Sequence, residues 1–316
     1  MANDQPQRWR ARAPRPRTTD VNAASRRSSA RGHSAVSIRW KTGTWGTRRG
    51  RQAGQWRPMD GAWLRRRPGR PPGGRRIVCF PHAGGGASFF RPWHDCLPPD
   101  AGVELLAVQY PGREERSKHP PIDDMDRLAD GIAGALAGCL DEPLVLFGHS
   151  MGAAVAYEVA LRIGARTRHR LRGLILSAQP GPRHFVPGSF HQQTDEALWN
   201  DTLSFFNGVA GALQGSQALR RLMVPILRND YRLIETYRPR PGATVDCPVV
   251  VCLGDSDPHL TIEAARGWQD VAGGTFDLRV FPGGDHFYLK AHRQELVAIA
   301  AELVSGPPGA RPARPG

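Results

Sequence analysis

Three short segments hold side chains that could act together. Gly148-His149-Ser150-Met151-Gly152 sets a serine between glycines. Gly254-Asp255-Ser256-Asp257-Pro258 offers carboxylates, and Gly283-Gly284-Asp285-His286-Phe287 offers an imidazole. A serine hydroxyl is a poor nucleophile until a base takes its proton, and the base needs an acid to orient it. The chain order Ser150, Asp257, His286 is that of the serine sites in which the nucleophile sits on a sharp strand-to-helix turn. Such a set performs acyl transfer: attack on a carbonyl, a covalent acyl-serine, and release to water.

Placement decides each assignment. A G-x-S-x-G pattern is weak alone in a chain with 36 glycines. Here it directly follows the apolar run Leu144–Phe147 and directly precedes the helical AAVAYEVALRI stretch. A turn that tight requires small residues on both sides of the serine, hence Gly148 and Gly152. His286 is the base expected among 11 histidines, because it alone follows a late strand ahead of the final helix. Asp257 is the acid expected. Asp285 adjoins the base, and adjacent side chains diverge; Asp255 comes straight off a strand, where a turn-forming or capping role suffices. The developing oxyanion needs two preset N–H donors. One is the N–H of Met151; the other comes from the loop Pro81-His82-Ala83-Gly84-Gly85-Gly86-Ala87. That loop matches neither G-x-x-x-x-G-K-[ST] nor G-x-G-x-x-G, so it is not read as a phosphate cradle. His82 precedes the nucleophile and is expected to structure the loop.

The elements that must position these residues alternate. Strand-like runs at Ile77–Phe80, Val103–Gln109, Leu144–Phe147, Leu171–Ser177, Val249–Leu253 and Phe276–Phe281 are largely apolar, and are read as strands buried on both faces. Helix-like stretches at Met125–Leu140, Gly152–Ile163, Thr261–Val271 and Lys290–Val304 lie between and after them. The pattern predicts an α/β fold, a parallel sheet with helices on both sides. It breaks once, between residues 179 and 246. Helical texture there (Asp195–Phe206, Gln217–Tyr237) predicts an inserted cap, since a crossover needs only one helix.

Composition bounds the alternatives. The 316 residues carry a net charge of +14. Residues 1–76 hold 20 basic residues against three acidic ones, and residues 77–316 hold 23 against 26. The part able to fold is therefore slightly acidic, which excludes a basic nucleic-acid binder as the reading of the whole chain. Residues 1–58 are poor in aliphatics and rich in Arg, Ser, Gly and Pro, so they are expected to be disordered. Five of eight tryptophans lie in the first 63 residues. Arg with interleaved Trp is the composition of a nucleic-acid-tethering arm, the rival function for this tail. Met59 offers an alternative start. Residues 306–316 are expected to fray. No run approaches the ~18 apolar residues of a membrane span. No apolar segment follows the N-terminal arginines as a secretory signal requires. Five cysteines without a C-x-x-C pair read as small hydrophobes in a reducing cytoplasm, neither a disulfide framework nor a metal site.

Residues 59–304 resemble the stand-alone type II thioesterases of polyketide and nonribosomal peptide assembly lines. The resemblance is carried by Trp63-Leu64-Arg65-Arg66, CFPHAGGGASFFRPW (Cys79–Trp93), VQYPGREER (Val108–Arg116), LFGHSMGA (Leu146–Ala153), NDYRLIETYR (Asn229–Arg238), LGDSDP (Leu253–Pro258) and FPGGDHFYL (Phe281–Leu289). It implies an α/β-hydrolase fold over 59–305, with a helical lid at about 180–245 above an acyl chamber. It implies Ser150 as nucleophile, Asp257 as acid, His286 as base, and the N–H groups of Ala83 and Met151 as oxyanion donors. Phe205, Phe206 and Tyr231 of the lid either line the chamber or form the lid's own core. The implied activity is hydrolysis of acyl thioesters from the phosphopantetheine of acyl or peptidyl carrier proteins, with no cofactor or metal on this chain. A general carboxylesterase or lipase of the same fold is the alternative enzyme. The basic extension and Asp285 depart from the family pattern.

Overall fold

The apolar runs form strands, and the packing on their two faces accounts for their composition. The computed structural model describes residues 57–58, 62–67, 74–98, 100–164, 167, 170–204 and 216–306. Its strands are β1 (Arg57–Pro58), β2 (Leu64–Arg66), β3 (Arg75–Phe80), β4 (Val103–Val108), β5 (Leu144–His149), β6 (Leu171–Ser177), β7 (Val249–Gly254) and β8 (Phe276–Phe281). They join one sheet in the order β1-β2-β4-β3-β5-β6-β7-β8. From β4 to β8 all pairings are parallel; β2 adds antiparallel to β4, and β1 antiparallel to β2.

Every residue of β4, β5 and β7 is buried. Side chains alternate between faces along a strand. Leu144 and Leu146 of β5, with Val78 and Phe80 of β3, join the core packed with helices α1 (Met125–Leu136) and α2 (Met151–Gly164). Val145 and Phe147, with Ile77 and Cys79, join the core on the opposite face. That second core is built by the 3-10 segment Ala87–Cys96 and the C-terminal helix.

Between β6 and β7 the chain leaves the sheet. This insertion carries α3 (Asp195–Ser204) and α4 (Gln217–Thr236). Ser216 caps α4 by accepting the Leu219 N–H at 3.3 Å. The insertion has its own small core of Leu198, Trp199, Leu203 and Val224. The remaining helices are α5 (Ile262–Arg266) and α6 (Arg293–Ser305).

Several boundaries differ from the sequence reading. The stretch Met125–Leu140 is α-helical only to Leu136 and then tightens to a 3-10 turn over Ala137–Cys139. Gly131, Gly134 and Gly138 weaken helix propensity there. Thr261–Val271 divides at Gly267 into α5 and a second 3-10 turn. β8 is an edge strand and is not buried on both faces: Val280 is 38% exposed. Arg279 pairs with Asp277 of the same strand at 2.5 Å, and edge charges of this kind discourage pairing with another chain. Trp63-Leu64-Arg65-Arg66 proves to contain a strand, with Leu64 opposite Val108. Arg65 is buried and paired with Glu115, and Arg116 stacks 4.0 Å over the Trp63 ring. Arg57 and Pro58, expected in the disordered extension, form β1. Residues 1–56, Met59 and residues 307–316 lie outside the described residues.

The five cysteines are free thiols, four of them buried. Burial pushes the thiols of Cys247 and Cys252 up to about 12. Among the described residues no helix is long and apolar enough to cross a membrane.

Candidate active site

The serine sits where β5 hands the chain to α2. Ser150 has φ of +54°, the left-handed region that L-residues avoid at a cost of order 1 kcal/mol or more. The flanking glycines are sterically required. A Cβ on Gly148 would run into the carbonyl of Gly152, and one on Gly152 into the carbonyl of Phe80. The strained turn is over-determined by its neighbours. The Ser150 N–H donates to the Ser177 carbonyl of β6 at 2.7 Å, and the Ala153 N–H to the Ser150 carbonyl at 2.8 Å.

The loops after β7 and β8 bring Asp257 and His286 together. His286 Nδ1 donates to Asp257 Oδ2 at 2.7 Å. The second carboxylate oxygen accepts the His259 N–H at 2.9 Å. The Asp257 side chain is wholly buried and that of His286 is 15% exposed. Holding the proton on Nδ1 leaves Nε2 with its lone pair, the tautomer a general base requires.

The other two aspartates do different work. Asp255 Oδ1 accepts the Gly283 N–H at 2.7 Å and the Ser256 hydroxyl at 3.1 Å, stapling the two loops to each other. Asp285 Oδ1 accepts the Phe287 N–H at 2.8 Å, a local turn contact. The residue that departs from the family pattern therefore leaves the Asp257–His286 pair intact.

The loop after β3 is gripped by the segment after β4. Tyr110 donates its hydroxyl to the Pro81 carbonyl at 3.1 Å. Gln109 Oε1 accepts the Ala87 N–H at 2.9 Å. Glu114, itself at φ +49°, accepts from the Ser88 hydroxyl and, at 3.4 Å, from its N–H. Arg113 donates to the Gly85 carbonyl at 3.1 Å. Ala83 is thereby held at the carboxyl edge of the sheet, and Met151 begins α2, where first-turn N–H groups have no helical acceptor. Among the described residues no hydrogen bond takes the N–H of Ala83 or of Met151. Gln109, Tyr110, Arg113 and Glu114 were not singled out from the residues, because nothing local in VQYPGREER tells a loop clamp from an ordinary polar loop.

Comparison with known proteins places this geometry. A family model for the thioesterase domain matches residues 75–303. A probable cadicidin biosynthesis thioesterase of Streptomyces griseus is 40% identical over 241 residues, covering 76% of this chain and 64% of that protein. Thioesterase PikA5 of Streptomyces venezuelae is 35% identical over 266 residues, covering 82% and 93%. The solved structure of the type II thioesterase BorB, from the borrelidin biosynthetic cluster, superposes with a TM-score of 0.70 at 38% identity, over 78% of this chain and all of that one. The chain belongs to the thioesterase family.

Two buried histidines back the site of this thioesterase. His149 Nδ1 meets the Ser177 hydroxyl at 2.9 Å, which meets the Tyr288 hydroxyl at 2.7 Å. His82 lies edge-on to Phe89 and Phe287, with ring centroids at 4.6 and 4.9 Å, and structures the loop from inside. Burial, then the nearby positive charge of His286, Lys290 and Arg113, brings His82 down to about 3. Burial, then His286, His82 and Lys290, holds His149 well below the ordinary histidine range. Both are depressed in the folded state, so the unfolded chain binds more protons below pH 6.5. Stability is complete above 6.5 and falls as pH drops toward 3. His82 is expected to remove about 2 kcal/mol between pH 7 and pH 5, and His149 acts in the same direction. Urea unfolding at the two pH values checks this. His82→Asn should lose about 2 kcal/mol less than wild type over that interval, and an unchanged difference would refute the coupling.

The lid residues separate. Tyr231 packs edge-on to Phe190 at 5.2 Å, against the insertion's own core. Phe205 and Phe206 lie outside the described residues. Among the described residues no group of three or more His, Cys, Asp or Glu side chains could hold a metal ion.

Proposed function

We propose that this chain hydrolyses acyl thioesters presented on the phosphopantetheine arm of acyl or peptidyl carrier proteins, clearing stalled or aberrant acyl groups during polyketide or nonribosomal peptide synthesis in the cytoplasm. The observation that carries the reading is the buried Asp257 bonded to His286 at the same sheet edge as the strained Ser150 turn.

In this reading His286 Nε2 takes the Ser150 proton as Oγ attacks the thioester carbonyl. The oxyanion is received by the N–H groups of Ala83 and Met151, preset dipoles that need no reorganisation as the charge develops. Collapse breaks the C–S bond, and His286 returns its proton to the departing thiolate. Water, deprotonated by His286, then attacks the acyl-serine; the acid leaves and Ser150 recovers its proton. Asp257 keeps the imidazole in the right tautomer and stabilises the transient imidazolium. The reading needs no cofactor on this chain, because the thioester arrives on the partner's own arm.

The test is intact-protein mass spectrometry of a carrier protein loaded with acetyl or propionyl groups. Loss of the acyl mass on incubation with the enzyme is the expected result. An acyl mass that persists while p-nitrophenyl esters are cleaved would overturn the reading in favour of a general carboxylesterase.

A further inference from the structure

One buried charge pair joins the lid to the loop that carries Ala83. Asp230 lies on α4 of the lid insertion, and its side chain is 2% exposed. It meets Arg113 in a two-pronged contact, Nη1 to Oδ2 at 2.6 Å and Nη2 to Oδ1 at 2.7 Å. The same Oδ2 accepts the backbone N–H of Gly84 at 2.8 Å, while Arg113 Nη1 also donates to the carbonyl of Gly85. Burial alone would lower the Arg113 pKa, but Asp230 reverses this and raises it, so Arg113 stays charged.

These contacts grip the second half of one turn. The Gly85 N–H donates to the His82 carbonyl at 2.9 Å, closing residues 82–85, and Gly84 sits in the third position with φ of +76°. That is the position where a type II turn demands glycine. The His82 carbonyl and the Ala83 N–H belong to one peptide plane. Fixing the turn therefore fixes the direction of the Ala83 N–H. Among the described lid residues, Asp230 is the one whose side chain bonds this loop.

We propose that Asp230, braced by Arg113, is a positioning residue that makes the oxyanion site depend on the seating of α4. With α4 seated, Gly84 and Gly85 are pinned and the Ala83 N–H points at the reacting carbonyl. When α4 shifts, the carboxylate leaves Gly84 and the turn loses its hold. The proposal rests on Ala83 serving as an oxyanion donor, as the proposed function has it.

Two variants and two readouts test it. Asp230→Asn keeps the shape but leaves Arg113 buried without its counter-charge. Arg113→Met with Asp230→Leu replaces the pair by apolar groups, a change that often preserves or raises stability. Both are assayed at a temperature where circular dichroism shows them folded. The expected result is a fall in kcat of about 10–100-fold, below the effect of deleting a donor outright, with KM within about twofold. The inhibition constant of an acyl trifluoromethyl ketone, whose adduct on Ser150 bears an oxyanion, should rise by the same factor. A double variant as stable as wild type, with kcat and ketone affinity within about twofold of it, would reduce the pair to a structural role and overturn the proposal. If the double variant fails to fold, Asp230→Asn alone decides by the same criterion. The ketone arm also separates the two hypotheses. A wild type that binds the ketone but spares carrier thioesters contradicts the proposed substrate, while the ratio between wild type and variant still judges the loop.

Discussion

Ser150→Ala is expected to lower hydrolysis of a carrier-bound acetyl or propionyl group by at least about 10³-fold, with an unchanged thermal midpoint. Removing a nucleophile leaves only the residual catalysis of binding and oxyanion contacts, which lies orders of magnitude below the intact site. The fold should not notice. The substitution deletes one oxygen, and the two hydrogen bonds that hold the turn come from the backbone of residue 150. Alanine inherits the strain of φ +54° unchanged, whereas glycine relieves it. Ser150→Gly should therefore be equally inactive yet more stable by about 0.5–1 kcal/mol. Mass spectrometry of the carrier measures the first quantity and calorimetry the second. Retention of more than about 1% of the wild-type rate in Ser150→Ala would sink the assignment.

The parts of this molecule legible in its sequence are those that local rules control. Continuous apolar runs mark strands that face a core on each side, so β3 to β7 could be read from Ile77, Val145 or Val250 and their neighbours. The serine turn could be read because steric crowding at Gly148 and Gly152 admits no side chain. Asp257 could be told from Asp255 and Asp285 because chain direction and adjacency limit where each carboxylate points. What could not be read is what depends on distant partners. Arg113 and Asp230 are 117 positions apart, and each alone is an ordinary charged residue in a polar stretch. Arg65 reads as a surface arginine until β2 pairs with β4 and buries it. β8 carries Asp277 and Arg279, charges that fit its half exposure as the last strand of the sheet and that the reading as a strand buried on both faces passed over. Helix ends at Leu136 and Arg266 escaped notice because glycine weakens a helix without saying where it stops.

Asp257→Asn is the second large effect, expected to lower kcat by about 10³–10⁴-fold. The reason lies in which oxygen does what. Asp257 Oδ1 accepts the His259 N–H, and Oδ2 accepts the proton of His286 Nδ1. In asparagine only one of the two terminal atoms accepts. The backbone N–H of His259 cannot change its role, so it selects the amide oxygen for its side and turns the NH₂ group toward His286. Facing a donor, Nδ1 must accept, and the imidazole proton moves to Nε2, where it blocks abstraction of the serine proton. The loss should therefore fall on kcat while KM and the fold persist. Asp285→Asn gives the control. Its Oδ1 accepts a backbone N–H from Phe287, a bond that asparagine reproduces, so activity should remain within about twofold. Steady-state kinetics of the two variants on one acyl carrier substrate makes the comparison. Equal losses would mean that the loop around His286, and not the proton on Nδ1, limits the reaction.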